Sequence, residues 1–181
     1  MIGMKKTSLQ IMTRLALSLA LLVLFELFES NLLRMPQGGS ISLASLIFLF
    51  VLPLFNSAEV AFLFFAWRCL MFFLTPPFFV SVSQLMLDYV VAYMGFLLVY
   101  PLSRKKSKYA IIFAIVVANL WRYSIHVITG TLYFGEYAGN KSVIVYSLIY
   151  NLTYMAPTVL VQLVFSQILQ PFVHKIVRKV R

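Results

Sequence analysis

Acid is scarce in this chain. Five Asp and Glu stand against fifteen Lys and Arg in 181 residues, and charged residues make up only 11% of the whole. A water-soluble domain carries about 25%. The single cysteine, Cys69, excludes a disulfide framework. Two histidines far apart and that one cysteine do not make a zinc ligand set. The phosphate-cradling pattern Gly-x-x-x-x-Gly-Lys-Ser/Thr is missing. So is a Ser-His-Asp arrangement with a nucleophile elbow. Alternating segments of the kind that build membrane barrels are not visible, and neither is an internal repeat or a low-complexity tract. These absences turn the reading away from an enzyme, a nucleotide-binding subunit and a metalloprotein, and no cofactor is expected.

What the chain has instead is apolar surface: 62% of its residues are hydrophobic. That excess needs a non-aqueous solvent, and lipid supplies it. A helix needs roughly 20 apolar residues to cross the bilayer core. Six candidate spans follow, at 8–28, 41–55, 58–74, 82–102, 109–134 and 143–172, the last overshooting a single crossing. The expected fold is an all-α integral membrane protein, with residues 1–181 forming one six-helix domain. The first run starts at Lys5–Lys6 but shows no small-residue cleavage site, so it reads as a retained helix. The formal charge of +10 gathers in tracts beside the spans, which argues for topology signals rather than nucleic-acid binding. One side collects Lys5 and Lys6, then Arg104, Lys105, Lys106 and Lys108, then Lys175, Arg178, Lys179 and Arg181; the other has Arg34 and Lys141. An even span count puts both termini and the three basic tracts on the cytoplasmic side. The loops at Met35–Ser40, Pro76–Phe79 and Gly135–Ser142 then lie outside. Gly38-Gly39 permits a mobile flap, but the residues alone favour a simple turn.

Ionisable residues inside spans are costly and therefore functional candidates. Asp88 lies inside the fourth span and reads as the one deep acid. Arg122, His126 and Gly130 recur every four residues in the fifth, on one helical face, with Phe134 a further turn along. In the sixth, Tyr146, Tyr150 and Tyr154 form a stripe, and Ser147 and Asn151 are also four apart. A structural network is an alternative to a ligand site: Asp88 paired with Arg122, tyrosines in an interfacial belt, His126 as an interhelical hydrogen-bonder. Composition and spacing leave both open. Arg68, in the third span, is expected to pair with Glu26 or Glu29.

Three segments carry a resemblance. They are Met35-Pro-Gln-Gly-Gly-Ser-Ile-Ser42, Ser83-Gln-Leu-Met-Leu-Asp88-Tyr89-Val-Val-Ala92, and Arg122-Tyr-Ser-Ile-His126-Val-Ile-Thr-Gly130 continuing through Tyr146-Ser-Leu-Ile-Tyr-Asn151 to Tyr154-Met-Ala-Pro157. In order and spacing the chain resembles the thiamine-specific substrate-binding (S) components of energy-coupling factor transporters. The resemblance implies a compact six-helix bundle with a thiamine site near the outer face. It places Asp88, Tyr89, His126, Tyr146 and Asn151 at that site, with Arg122, Gly130, Phe134 and Ser147 beside it. From about Phe48 to Phe79 no site residue is carried over from it. The loop carrying Gly38, Gly39 and Ser40 would be its lid. Ala16 and Ala20, small residues four apart, would contact a transmembrane coupling subunit that works with two separate ATPase subunits. The expected role is capture of thiamine at a prokaryotic plasma membrane, without chemistry. A binding component for another cationic or pyrimidine-containing vitamin is the near alternative, and a membrane enzyme the distant one.

Overall fold

The structure is a computed structural model that describes residues 8–32, 34–78, 80–105 and 107–180. The expectations resting on Lys5, Lys6, Phe79, Lys106 and Arg181 lie outside the described residues. The helices are α1 (Ser8–Leu32), α2 (Ala44–Leu54, its last turn tightened), α3 (Ser57–Leu74), α4 (Val82–Leu98), α5 (Lys108–Tyr133) and α6 (Val143–Val180). Four of them, α1, α3, α5 and α6, are long and apolar enough to cross a membrane, and α2 and α4 are shorter apolar helices.

Local chemistry sets the boundaries. Asn56 starts α3 with a reciprocal cap: its side chain accepts from Glu59 N at 2.9 Å, and Glu59 Oε2 accepts from Asn56 N at 2.9 Å. This satisfies two N–H groups that a helix start leaves unpaired. Pro101 lies just past the end of α4, and the chain re-enters a single turn at Tyr100–Ser103 rather than continuing to 102 as one helix. α6 runs to Val180, eight residues beyond the expected end. It passes through Pro157 and Pro171 and finishes on Arg178 and Lys179, whose charge suits a helix C-terminus.

The centre is aromatic and aliphatic. Trp67, Phe48, Phe64 and Phe96 are fully buried, with Phe48 and Trp67 ring centroids 5.4 Å apart. The periphery is also apolar: Leu17, Leu24, Phe62, Phe73, Leu98, Phe113, Leu120, Leu132, Leu160 and Phe172 are all exposed. Side chains of this kind on every side are what lipid contact requires. Within the core, Arg68 Nη2 pairs with Glu26 Oε1 at 2.5 Å, and its guanidinium lies 4.3 Å from the Trp67 ring and 4.4 Å from the Tyr93 ring. Of the two partners expected for Arg68, Glu26 is the one used.

The ends of the bundle differ. One end carries Arg104, Lys105, Lys108, Lys175, Arg178 and Lys179. The other carries the end of α1, the start of α2, the end of α3, the start of α4, the end of α5 and the start of α6. A cavity opens there.

Candidate functional site

The cavity has about 920 Å³ of empty space, its open mouth included. Asp88, Tyr89, Arg122, His126, Gly130, Phe134, Tyr146, Ser147 and Asn151 all line it, together with Gly38, Gly39 and Ser40. Three helices, α4, α5 and α6, the residue that follows α5 and one loop therefore bring every residue expected at the pocket and its lid to one place. Ala16 and Ala20 are elsewhere, on the exposed side of α1.

α4 is not a uniform α-helix. Leu87–Val91 form a π-helical turn. Consecutive residues of an α-helix point about 100° apart, and the wider turn lets both Asp88 and Tyr89 reach the cavity. Such turns recur at functional sites. Trp121 braces it by donating from Nε1 to Val91 O at 2.9 Å, and its indole occupies the space beside Gly95, where an added Cβ would come within 2.6 Å of the ring.

The polar residues form an ordered chain. Gln84 Nε2 donates to Asp88 Oδ2 at 2.6 Å, and Asp88 Oδ1 lies 2.8 Å from His126 Nδ1. Arg122 Nε donates to His126 Nε2 at 3.2 Å. The pattern selects one imidazole form: Nδ1 carries the proton towards the carboxylate, and Nε2 offers its lone pair to the guanidinium. Asp88 thus meets Arg122 through His126 and not directly, which corrects the simple charge-pair alternative. Gln84 is itself buried and held, its Oε1 accepting from Val80 N at 3.1 Å. Beyond the histidine, the Arg122 guanidinium lies 4.6 Å from the Tyr93 ring. Arg122 Nη1 and Glu26 Oε2 are buried without a hydrogen-bond partner among the described residues. Buried polar atoms of this kind call for a partner.

Sequence reasoning took Asp88 as the one deep acid. Glu26 and Glu29 also line the cavity and are buried. Glu29 is held by the start of α2: Ser42 Oγ donates to Oε1 at 3.2 Å, while Leu43 N and Ala44 N donate to Oε2. A carboxylate facing the free N–H groups of a helix start is favoured by charge and geometry. Tyr93, Tyr150 and Tyr154 complete the wall. The last two were visible as a four-residue stripe. Tyr93 gave no signal beyond being polar within an apolar run, and Glu26 and Glu29 were expected only as partners for Arg68.

Asn151 is firmly placed. Its Nδ2 donates to Ser147 O at 2.8 Å, and its Oδ1 accepts from Tyr154 OH at 2.5 Å. Ser147 Oγ donates to Val127 O at 2.9 Å, tying α6 to α5 beside Gly130. A Cβ at Gly130 would stand 2.2 Å from Ser147 Oγ and 3.1 Å from Ser147 Cβ. Gly130→Ala is expected to cost about 1–3 kcal/mol of stability through overpacking. Thermal unfolding in detergent checks this, and adding Ser147→Ala should recover part of the loss. An unchanged midpoint in the single variant would mean that α5 and α6 separate freely here.

The Met35–Ser40 loop covers the mouth. Arg34 and Ser40 bridge at its base, Met35 N donates to Gly39 O at 2.6 Å, and Gly38 N donates to Met35 O at 3.1 Å. Its tip needs two positive φ values, 57° at Gln37 and 88° at Gly38, and glycine adopts the second without strain. Gly39 N donates to Tyr150 OH at 3.3 Å, and that hydroxyl donates in turn to Pro36 O. Tyr89 OH, placed by Phe78 N and O at 3.1 Å each, sits against Gly38.

The family described as "Thiamine transporter protein (Thia_YuaJ)" matches residues 12–178. The chain is 28% identical over 171 residues to the thiamine transporter ThiT of Bacillus subtilis (strain 168), covering 81% of this chain and 83% of that protein. Its fold is similar to the solved structure of ThiT from Listeria monocytogenes, with TM-score 0.79 at 19% identity, over 95% of this chain and 99% of that one. A match that spans nearly all six helices, on a chain whose cavity gathers the polar residues of four of them, identifies a transporter and not an enzyme: this multi-pass membrane protein belongs to the thiamine transporter family.

Proposed function

We propose that the cavity is the thiamine site, and that the chain is the binding (S) component of an energy-coupling factor importer in a prokaryotic plasma membrane. Its pocket end faces outward and its basic end faces the cytoplasm. The observation that carries the reading is the charge of the pocket. Its lining holds three carboxylates, Glu26, Glu29 and Asp88, and two guanidiniums, Arg34 and Arg122, with a neutral His126 between Asp88 and Arg122. The formal sum of the lining is −1, and the thiazolium of thiamine is a permanent monocation. Aromatic walls of Tyr89, Tyr146, Tyr150 and Tyr154 suit a flat cation. Asp88 and Asn151 present acceptors and donors for an aminopyrimidine.

In this reading Asp88 supplies the charge, with Gln84 and His126 fixing its two oxygens. Arg122 holds the imidazole in one tautomer. Tyr146 and Tyr150, stacked at 6.0 Å, form part of the aromatic wall. Gly130 keeps α5 and α6 close, and Phe134 closes the rim against Phe78 at 5.9 Å. The loop of Gly38, Gly39 and Ser40 is the lid. Titration of the purified chain with thiamine, by calorimetry or Trp121 fluorescence, should show one site per chain without ATP or partners. A flat titration with folded protein would refute the reading. Preference for another cationic or pyrimidine vitamin would move it to the near alternative.

The lid makes its own prediction. Tyr150→Phe removes the two hydrogen bonds between its hydroxyl and the loop, and leaves, among the described residues, only the weaker one from Thr153 Oγ1 to Met35 Sδ at 3.6 Å. With each worth about 1 kcal/mol, thiamine dissociation should quicken on the order of tenfold or more. Stopped-flow release measures this, and an unchanged rate would leave the loop a passive turn.

A further inference from the structure

We propose that the groove at the basic end, between the start of α5 and the last turns of α6, holds the phosphate head group of an anionic phospholipid. Lys108, Gln167, Gln170, Pro171 and His174 line it. It lies at the opposite end of the bundle from the vitamin cavity and shares no residue with it.

Three independent features converge there. Lys108 opens α5, and the Ser107 side chain does not cap that helix. The first N–H groups and the positive end of the helix dipole are therefore left for an external acceptor. Gln170 exposes only 9% of its surface, yet its side-chain amide has no hydrogen-bond partner among the described residues and borders the groove. An amide left unpaired by the protein at the edge of a groove is free to donate to an oxygen-rich group. The surrounding charge has one sign. Arg104, Lys105, Lys175, Arg178 and Lys179 lie within five residues of Lys108 or His174 in sequence, while the acid at this end, Glu59, already accepts from Asn56 N in the α3 cap.

The lipid is chosen over a free anion because of what borders the site. α6 has 38 residues, about 57 Å of helix at 1.5 Å each, against a hydrocarbon core of about 30 Å. Its lower turns therefore pass through the head-group layer. Ile168 and Phe172, beside the groove in sequence, are 55% and 63% exposed. Acyl chains can lie along them while the phosphate meets Lys108, Gln170 and His174. Basic pockets between helices on the cytoplasmic side bind anionic head groups in this manner. The leaflet rests on the orientation proposed above; the chemistry of the groove does not.

Native mass spectrometry of the full chain, released from mixed micelles of phosphatidylglycerol and phosphatidylcholine, tests the proposal. The wild type should retain phosphatidylglycerol on the order of tenfold more than phosphatidylcholine. Lys108→Gln with His174→Gln should abolish that preference, and Lys141→Gln at the pocket end should keep it. Thiamine binding should be the same in all three, which reports folding separately from lipid retention and keeps this test apart from that of the vitamin site. Should the double variant lose thiamine binding, Gln170→Leu takes its place and should lower the preference. Equal retention of the two lipids by the wild type, or a full preference in folded variants, would overturn the proposal. Displacement of the lipid by millimolar inorganic phosphate would overturn it in favour of a free-anion site.

Discussion

Asp88→Asn should weaken thiamine binding on the order of a hundredfold, corresponding to about 3 kcal/mol. The substitution keeps the size of the side chain and removes its charge. In the native arrangement each carboxylate oxygen already has one donor, Gln84 Nε2 at 2.6 Å and His126 Nδ1 at 2.8 Å. The charge is therefore held in position before a ligand arrives, and little reorganisation is needed to use it. An amide in its place can still accept from His126, but its NH2 group faces the NH2 group of Gln84. It thus loses both the attraction for a cation and one anchoring contact. Lys141→Ala, at an exposed position on the same end of the bundle, should leave affinity within about twofold, because a solvated charge is screened. Calorimetry on both variants decides the matter. Equal affinities would assign Asp88 to the polar network alone and make another group responsible for the cation.

Replacing Ala16 and Ala20 together with Trp should reduce thiamine uptake to background in cells that supply the coupling and ATPase subunits, and leave thiamine binding in detergent unchanged. Both alanines are exposed, along one side of α1 with Leu9, Leu17 and Leu24. The opposite side of α1 is occupied by α2 and α3. Small residues spaced by four let another helix approach closely, and two indoles would hold it away. The cavity draws on α1 only from Glu26 onwards, more than one turn past Ala20, so the pocket should not feel the change. Pull-down of the coupling subunit should fail in parallel with uptake. Normal uptake would return these alanines to lipid contact.

Much of this protein could be read from composition and spacing. Too few charges and long apolar runs dictate lipid as solvent, because backbone polar groups in hydrocarbon must be paired within helices. The four-residue recurrence of Arg122, His126 and Gly130, and of Tyr146, Tyr150 and Tyr154, assigns them to single helical faces, since 3.6 residues make a turn. The Asn56–Glu59 cap was equally legible in principle, because both partners lie within three residues of one another.

The connections between faces were decided by tertiary structure. Periodicity states which side of a helix is polar and says nothing about which other helix meets it. Asp88 and His126 are 38 residues apart, and only the packing of α4 against α5 interposes the imidazole between the carboxylate and Arg122. The π turn at Leu87–Val91 changes which residues of α4 reach the cavity, and no residue type there announces it. Glu29 read from the sequence as one of two candidate partners for Arg68. Its partners are the free N–H groups at the start of α2, which exist only where the chain turns back after the lid. A buried charge in a sequence signals that some partner must offset its desolvation; the identity of that partner is a property of the folded bundle.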